Sequence, residues 1–121
     1  MATAADAKLR PFQPHDPPMQ QLSPQQLQQK IADGCLLLDV RGEDELAIAS
    51  LPGAIHIPLH QLQSRVTELN PLAATAVLCH HGMRSEQAAR FLERSGFATV
   101  FNLAGGIDAW SLQIDPALPR Y

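Results

Sequence analysis

The sequence predicts an α/β fold, a single domain built on a central, mainly parallel sheet of about five strands with helices on both faces. Three observations carry this. The apolar runs Cys35 to Val40 and Ala76 to Cys79 have strand length and suit strands covered on both sides. Segments with helical spacing alternate with such runs. Of 121 residues, 45% are hydrophobic and 17% charged, which fits one globular core.

Residues 1–18 read as a tail, because Pro11, Pro14, Pro17 and Pro18 crowd a segment with little apolar periodicity. The domain is expected over 19–121. Ser23-Pro24-Gln25-Gln26 opens a helix: Ser23 is the N-cap, Pro24 takes the first position, and Gln26 reaches back as in a capping box. Leu27 and Ile31 give its apolar face, and Gly34 its stop. The strand Cys35 to Val40 carries Asp39 at its C-terminal end. Glu43 to Ala49 forms a short helix. Pro52-Gly53 turns the chain, and Ile55-His56-Ile57 is a short extended piece. Leu59, Leu62 and Val66 have helical spacing, closed by Asn70-Pro71. After the strand Ala76 to Cys79, the run Arg84 to Ser95 is the best helix, with Ala88, Phe91, Leu92 and Ser95 on one stripe and Gly96 as its end. Thr99-Val100-Phe101 is a strand, Gly105-Gly106 a tight turn, and Ile107 to Leu112 a last helix. Trp110 is core or a lid, and Asp115 to Tyr121 is a non-helical tail packed on the domain.

Composition narrows the function. The net charge of -3 gives no basic surplus for nucleic acid. No apolar run approaches the ~20 residues of a membrane helix, and no long apolar N-terminal segment marks a signal peptide. Two cysteines without CxxC spacing point to reduced thiols and a cytoplasmic location. No cofactor is called for, since GxGxxG is absent.

Ligands in parallel α/β sheets sit beyond the C-terminal strand ends, where Asp39 and Cys79 both fall. Cys79 opens the loop Cys79-His80-His81-Gly82-Met83-Arg84-Ser85, which feeds a helix N-terminus. Unpaired amides and the positive end of the helix dipole favour anions there, and they favour thiolate over thiol. The loop amides are expected to point inward as an anion nest, with Gly82 supplying unusual backbone angles. Arg84 is a cation where the dipole disfavours one, and its fork suits a sulfonate oxygen pair. Ser85 is either a helix cap or a site residue. His80 and His81 are not read as metal ligands, because neighbouring side chains diverge and no third ligand has metal spacing. They add positive potential near Cys79 or are solvated loop residues. Asp39 and Arg41 are expected to form an ion pair or a turn hydrogen bond, supporting the pocket. Cys35 reads as a buried, inert thiol.

Four segments together resemble the rhodanese family, across roughly Met19 to Tyr121. They are Leu38-Asp39-Val40-Arg41 with Glu45, Leu51 to Pro58, Cys79 to Ser85, and Leu103 to Trp110. One departure is Ala49-Ser50 before Leu51-Pro52, where Gly-His is usual. The resemblance implies a single-domain thiosulfate sulfurtransferase. In it the Cys79 thiolate takes the outer sulfur of a small anionic donor, becomes a persulfide, and passes the sulfur to cyanide, a thiol or a protein. His80, His81, Gly82, Met83, Arg84 and Ser85 would line the donor site, and a monomer is expected. A persulfide carrier for a dedicated partner uses the same residues and stays open. A cysteine-loop phosphatase or arsenate reductase ranks lower: those sites place five residues between Cys and Arg, and here four, 80 to 83, intervene.

Overall fold

Five strands, β1 (Gln20–Leu22), β2 (Leu36–Asp39), β3 (Ile55–His56), β4 (Thr75–Leu78) and β5 (Val100–Leu103), pair in parallel throughout. Their spatial order is β1-β5-β4-β2-β3. The computed structural model describes residues 18–121, so all of the expected tail except Pro18 lies outside the described residues. The helices are α1 (Pro24–Ala32), α2 (Glu43–Ile48), α3 (Leu62–Arg65), α4 (Met83–Arg94) and α5 (Gly106–Gln113). Single 3-10 turns, Leu59–Gln61 and Val66–Glu68, flank α3.

The α1 start follows its local signals. The Ser23 hydroxyl accepts from the Gln26 amide at 3.2 Å, and the Gln26 side chain accepts from the Ser23 amide at 2.9 Å. Side chains alternate across the sheet and divide the core in two. Leu38, Val77 and Val100 join Ala88, Ala89 and Leu92 of α4 on one face. Leu37, Ala76, Leu78, Phe101 and Leu103 join Leu27, Ile107 and Trp110 on the other. Trp110 is therefore core. The α4 stripe runs through Ser85, Ala88, Ala89 and Leu92, with Phe91 half-buried at its edge.

The edge strand β1 was not expected from the sequence. It is three residues long with only Leu22 buried, too little for an alternation to show. Its partner is β5, in the register Gln20↔Phe101 to Leu22↔Leu103. The central pair β2 and β4 aligns Asp39 with Leu78, so the chain beyond each strand emerges side by side at one end of the sheet.

Candidate functional site

Cys79 is the first residue past β4, and Gly82 is the residue before α4. Gly82 has φ +101°, and a Cβ there would meet Gly105 N at 3.1 Å and Leu103 O at 3.2 Å. A glycine is required on both counts. The tight loop points the Gly82 amide at the sulfur: Cys79 Sγ accepts from Gly82 N at 3.0 Å and from Ser85 Oγ at 3.3 Å. Asn102 on β5 holds the same residue through its carbonyl, its amide donating to Gly82 O at 3.1 Å. A second helix start closes the loop from behind. The α5 amides Ile107 N and Asp108 N donate to Cys79 O and His80 O at 2.8 and 3.2 Å. Gly106 makes this approach possible, since a Cβ on it would lie 2.3 Å from His80 O.

Cys79 is 1% exposed, at the floor of a cavity of roughly 340 Å³ lined by His80, His81, Met83 and Arg84. Met83 stands at the rim, 83% exposed. Ser85 is fully buried and gives its hydroxyl to the sulfur; of its two readings, cap or site residue, the cap is not the one it takes. The N-cap position belongs to Gly82, and no side chain caps it. The histidines depart from expectation. Their rings do not diverge but stack at 3.8 Å, and Tyr121 stacks on the far face of His80 at 3.8 Å and 11°. His80 Nε2 is buried without a hydrogen-bond partner among the described residues. Neither imidazole donates to the sulfur.

Arg84 reaches the cavity, but its fork is taken. Its Nη1 and Nη2 donate to Glu45 Oε1 and Oε2 at 2.6 and 2.8 Å. The Tyr121 hydroxyl donates to Glu45 Oε2 at 2.6 Å and accepts from Arg41 Nη1 at 2.9 Å. The Arg84 guanidinium holds the Glu45 carboxyl down to about 2, and Glu45 in turn raises Arg84. Burial, then the Glu45 carboxylate, pushes the Tyr121 phenol up to about 12. Arg41 and Asp39 form the expected ion pair, fully buried at 2.7 Å. Arg41 also donates to Ala49 O at 2.8 Å, so it braces the loop that follows α2. Glu45 and Tyr121 are site residues that the sequence reading did not single out. Glu45 sits within the family segment it quoted, whereas Tyr121 carries no motif.

Cys35 lies at the opposite, N-terminal end of the sheet. Its thiol donates to Leu36 O and Ala74 O at 3.4 and 3.5 Å, and burial pushes its pKa up. Both cysteines are free. No helix among the described residues is long and apolar enough to cross a membrane. No group of three or more His, Cys, Asp or Glu side chains among them is placed to hold a metal.

Comparison with known proteins shows the family of the chain. The family model for the rhodanese-like domain matches residues 23–113. The thiosulfate sulfurtransferase GlpE of Ectopseudomonas mendocina is 34% identical over 89 residues, covering 74% of this chain and 82% of that protein. The chloroplastic rhodanese-like/PpiC domain-containing protein 12 of Arabidopsis thaliana is 45% identical over 93 residues, covering 74% of this chain and 31% of its own length. The putative sulfur carrier protein YrkF of Bacillus subtilis is 41% identical over 75 residues, covering 62% and 40%. The chain thus spans about a third to two fifths of the last two proteins.

Proposed function

The chain belongs to the rhodanese-like domain family, and from that membership we propose a sulfurtransferase that works through a persulfide on Cys79. The observation that carries the reading is the sulfur at the head of α4, with the Gly82 amide and the Ser85 hydroxyl both aimed at it. Such donors stabilise thiolate, the nucleophilic form.

The Cys79 thiolate attacks the outer sulfur of a donor such as thiosulfate. A new S–S bond forms on Cys79. The bond from that outer sulfur to the sulfonyl sulfur breaks, and sulfite leaves with the electron pair. The terminal sulfur of the persulfide inherits the thiolate charge and the donors around it. A thiolate or cyanide then attacks that sulfur and restores Cys79. Arg84 faces the donor across the cavity, and the buried position of Sγ keeps bulk water away from the persulfide.

Intact mass after incubation with thiosulfate tests this. The wild type should gain one sulfur atom and Cys79→Ser should gain none; equal masses before and after in the wild type would reject it. A second reading, a persulfide carrier for a partner protein, is favoured by the likeness to a putative sulfur carrier. Loaded protein that turns over poorly with cyanide yet passes its sulfur to a protein thiol would select it.

A further inference from the structure

The arginines at this end of the sheet are each matched to a carboxylate. Arg41 faces Asp39 at 2.7 Å, Arg84 faces Glu45 at 2.6 Å, and Arg120 faces Asp108 at 2.8 Å. Glu45 is the consequential one, because Arg84 lines the Cys79 cavity. The two Nη atoms of Arg84 are bonded one to each Glu45 oxygen. The carboxylate itself is fixed by the Tyr121 hydroxyl at 2.6 Å and by the Gly42 amide at 3.3 Å. Apart from His80 and His81, which also line the cavity, what remains to attract a donor is the Gly82 amide, the Ser85 hydroxyl and the start of α4, none of which carries a full charge.

We infer that Glu45, held by Tyr121, is a specificity-determining residue that cancels the Arg84 charge and biases the site towards sulfur donors with one negative charge. This rests on the sulfurtransferase reading of Cys79. A dianion entering the cavity gives up more hydration than a monoanion. With Arg84 neutralised, it recovers little of that through net attraction. Neutral donors aimed at the sulfur act at short range and reward the transferable sulfur itself, whatever charge the rest of the donor carries.

Two probes with the same kind of outer sulfur separate the cases: thiosulfate, a dianion, and benzenethiosulfonate, a monoanion. Each gives its outer sulfur to the Cys79 thiolate, releasing sulfite or benzenesulfinate with the bonding pair. Wild-type kcat/KM should be higher for benzenethiosulfonate, and the thiosulfate value should respond little to added salt. Glu45→Gln keeps a capping side chain at the start of α2. It should raise kcat/KM for thiosulfate by about 3–10-fold, the scale of one uncancelled charge at a part-buried site, and make it fall with salt. The benzenethiosulfonate value should change less. Glu45→Asp keeps the charge and should keep the wild-type donor ratio and flat salt profile. A Glu45→Gln protein with an unchanged or lowered thiosulfate value and a flat salt profile overturns the inference, as does Glu45→Asp behaving like Glu45→Gln. Failure of the wild type to take up sulfur from either donor, read by intact mass, would overturn the sulfurtransferase reading. Uptake with no shift in ratio overturns only the role of Glu45.

Discussion

Arg84 and Glu45 stand 39 residues apart in the chain and meet through two hydrogen bonds of 2.6 and 2.8 Å at the mouth of the Cys79 cavity. Neither can be altered without changing what the other presents. Arg84→Ala leaves Glu45 as an unpaired carboxylate facing an anionic donor. We predict a fall of about 10–100-fold in kcat/KM for thiosulfate, the scale of a lost charge-assisted contact. Adding Glu45→Gln should restore part of it, a coupling that a double-mutant cycle reads directly. Arg84→Lys should recover only part, because the fork is lost. Unchanged kinetics in Arg84→Ala would remove Arg84 from the site.

The two cysteines should behave oppositely. Cys79→Ser should abolish sulfur transfer to cyanide, while Cys35→Ser, at the far end of the sheet, should keep most of it. Equal losses would undo the assignment of Cys79.

Ser85→Ala removes one of two hydrogen bonds to the sulfur without opening the surface. Alkylation of Cys79 by iodoacetamide at neutral pH should slow by about 3–10-fold, the worth of one such bond. The same change in Ser95, whose hydroxyl donates to Phe91 O at 2.8 Å, should leave the rate alone. A wild-type rate in Ser85→Ala would show that the Gly82 amide suffices.

Gly106→Ala should destabilise the fold by about 2–4 kcal/mol, combining a left-handed backbone with a backbone clash. Its Cβ would lie 2.3 Å from His80 O at φ +65°. Gly53→Ala is the control, since φ is +80° there but nothing lies within 4 Å. Urea unfolding should rank Gly106→Ala well below Gly53→Ala, and equal midpoints would deny the close approach.

Two titrations report on the Glu45 network. Tyr121 is the only tyrosine, so phenolate absorbance reads it alone. Its midpoint should fall from about 12 in Glu45→Gln, because the nearby carboxylate charge is gone. In acid, Glu45 is held at about 2 against an unfolded value of ~4.3. Its contribution to stability is therefore complete above ~4.3 and is lost as the pH falls towards about 2. The gap in urea midpoint between wild type and Glu45→Gln should close over that window, and a constant gap would contradict it.

What the sequence disclosed follows from how local each signal is. The Ser23–Gln26 capping box, the strand run that carries Asp39, the one that leads into Cys79, and the glycine stops are each decided within a few residues, and all reappear in the fold. The Arg41–Asp39 pair is two residues apart and was equally readable. Tyr121 was not, because its partners Glu45 and Arg41 lie 76 and 80 residues away. Nor was the stacking of His80 between His81 and Tyr121, which depends on that same distant ring. Ser85 stayed open between cap and site because its orientation depends on where Gly82 begins α4.

The second helix start behind the loop has a bearing on biosynthesis. The carbonyls of Cys79 and His80 are tied down by amides of residues 107 and 108, and β5 supplies Asn102 to the Gly82 peptide. All of these leave the ribosome after the cysteine does. A nascent chain stalled before residue 100 is expected to carry Cys79 as an ordinary thiol, without its fixed donors. Alkylation of stalled chains of increasing length should show reactivity rising only once α5 has emerged. Sulfur chemistry would then begin with the finished domain, and a half-made chain would not draw sulfane sulfur while still being translated.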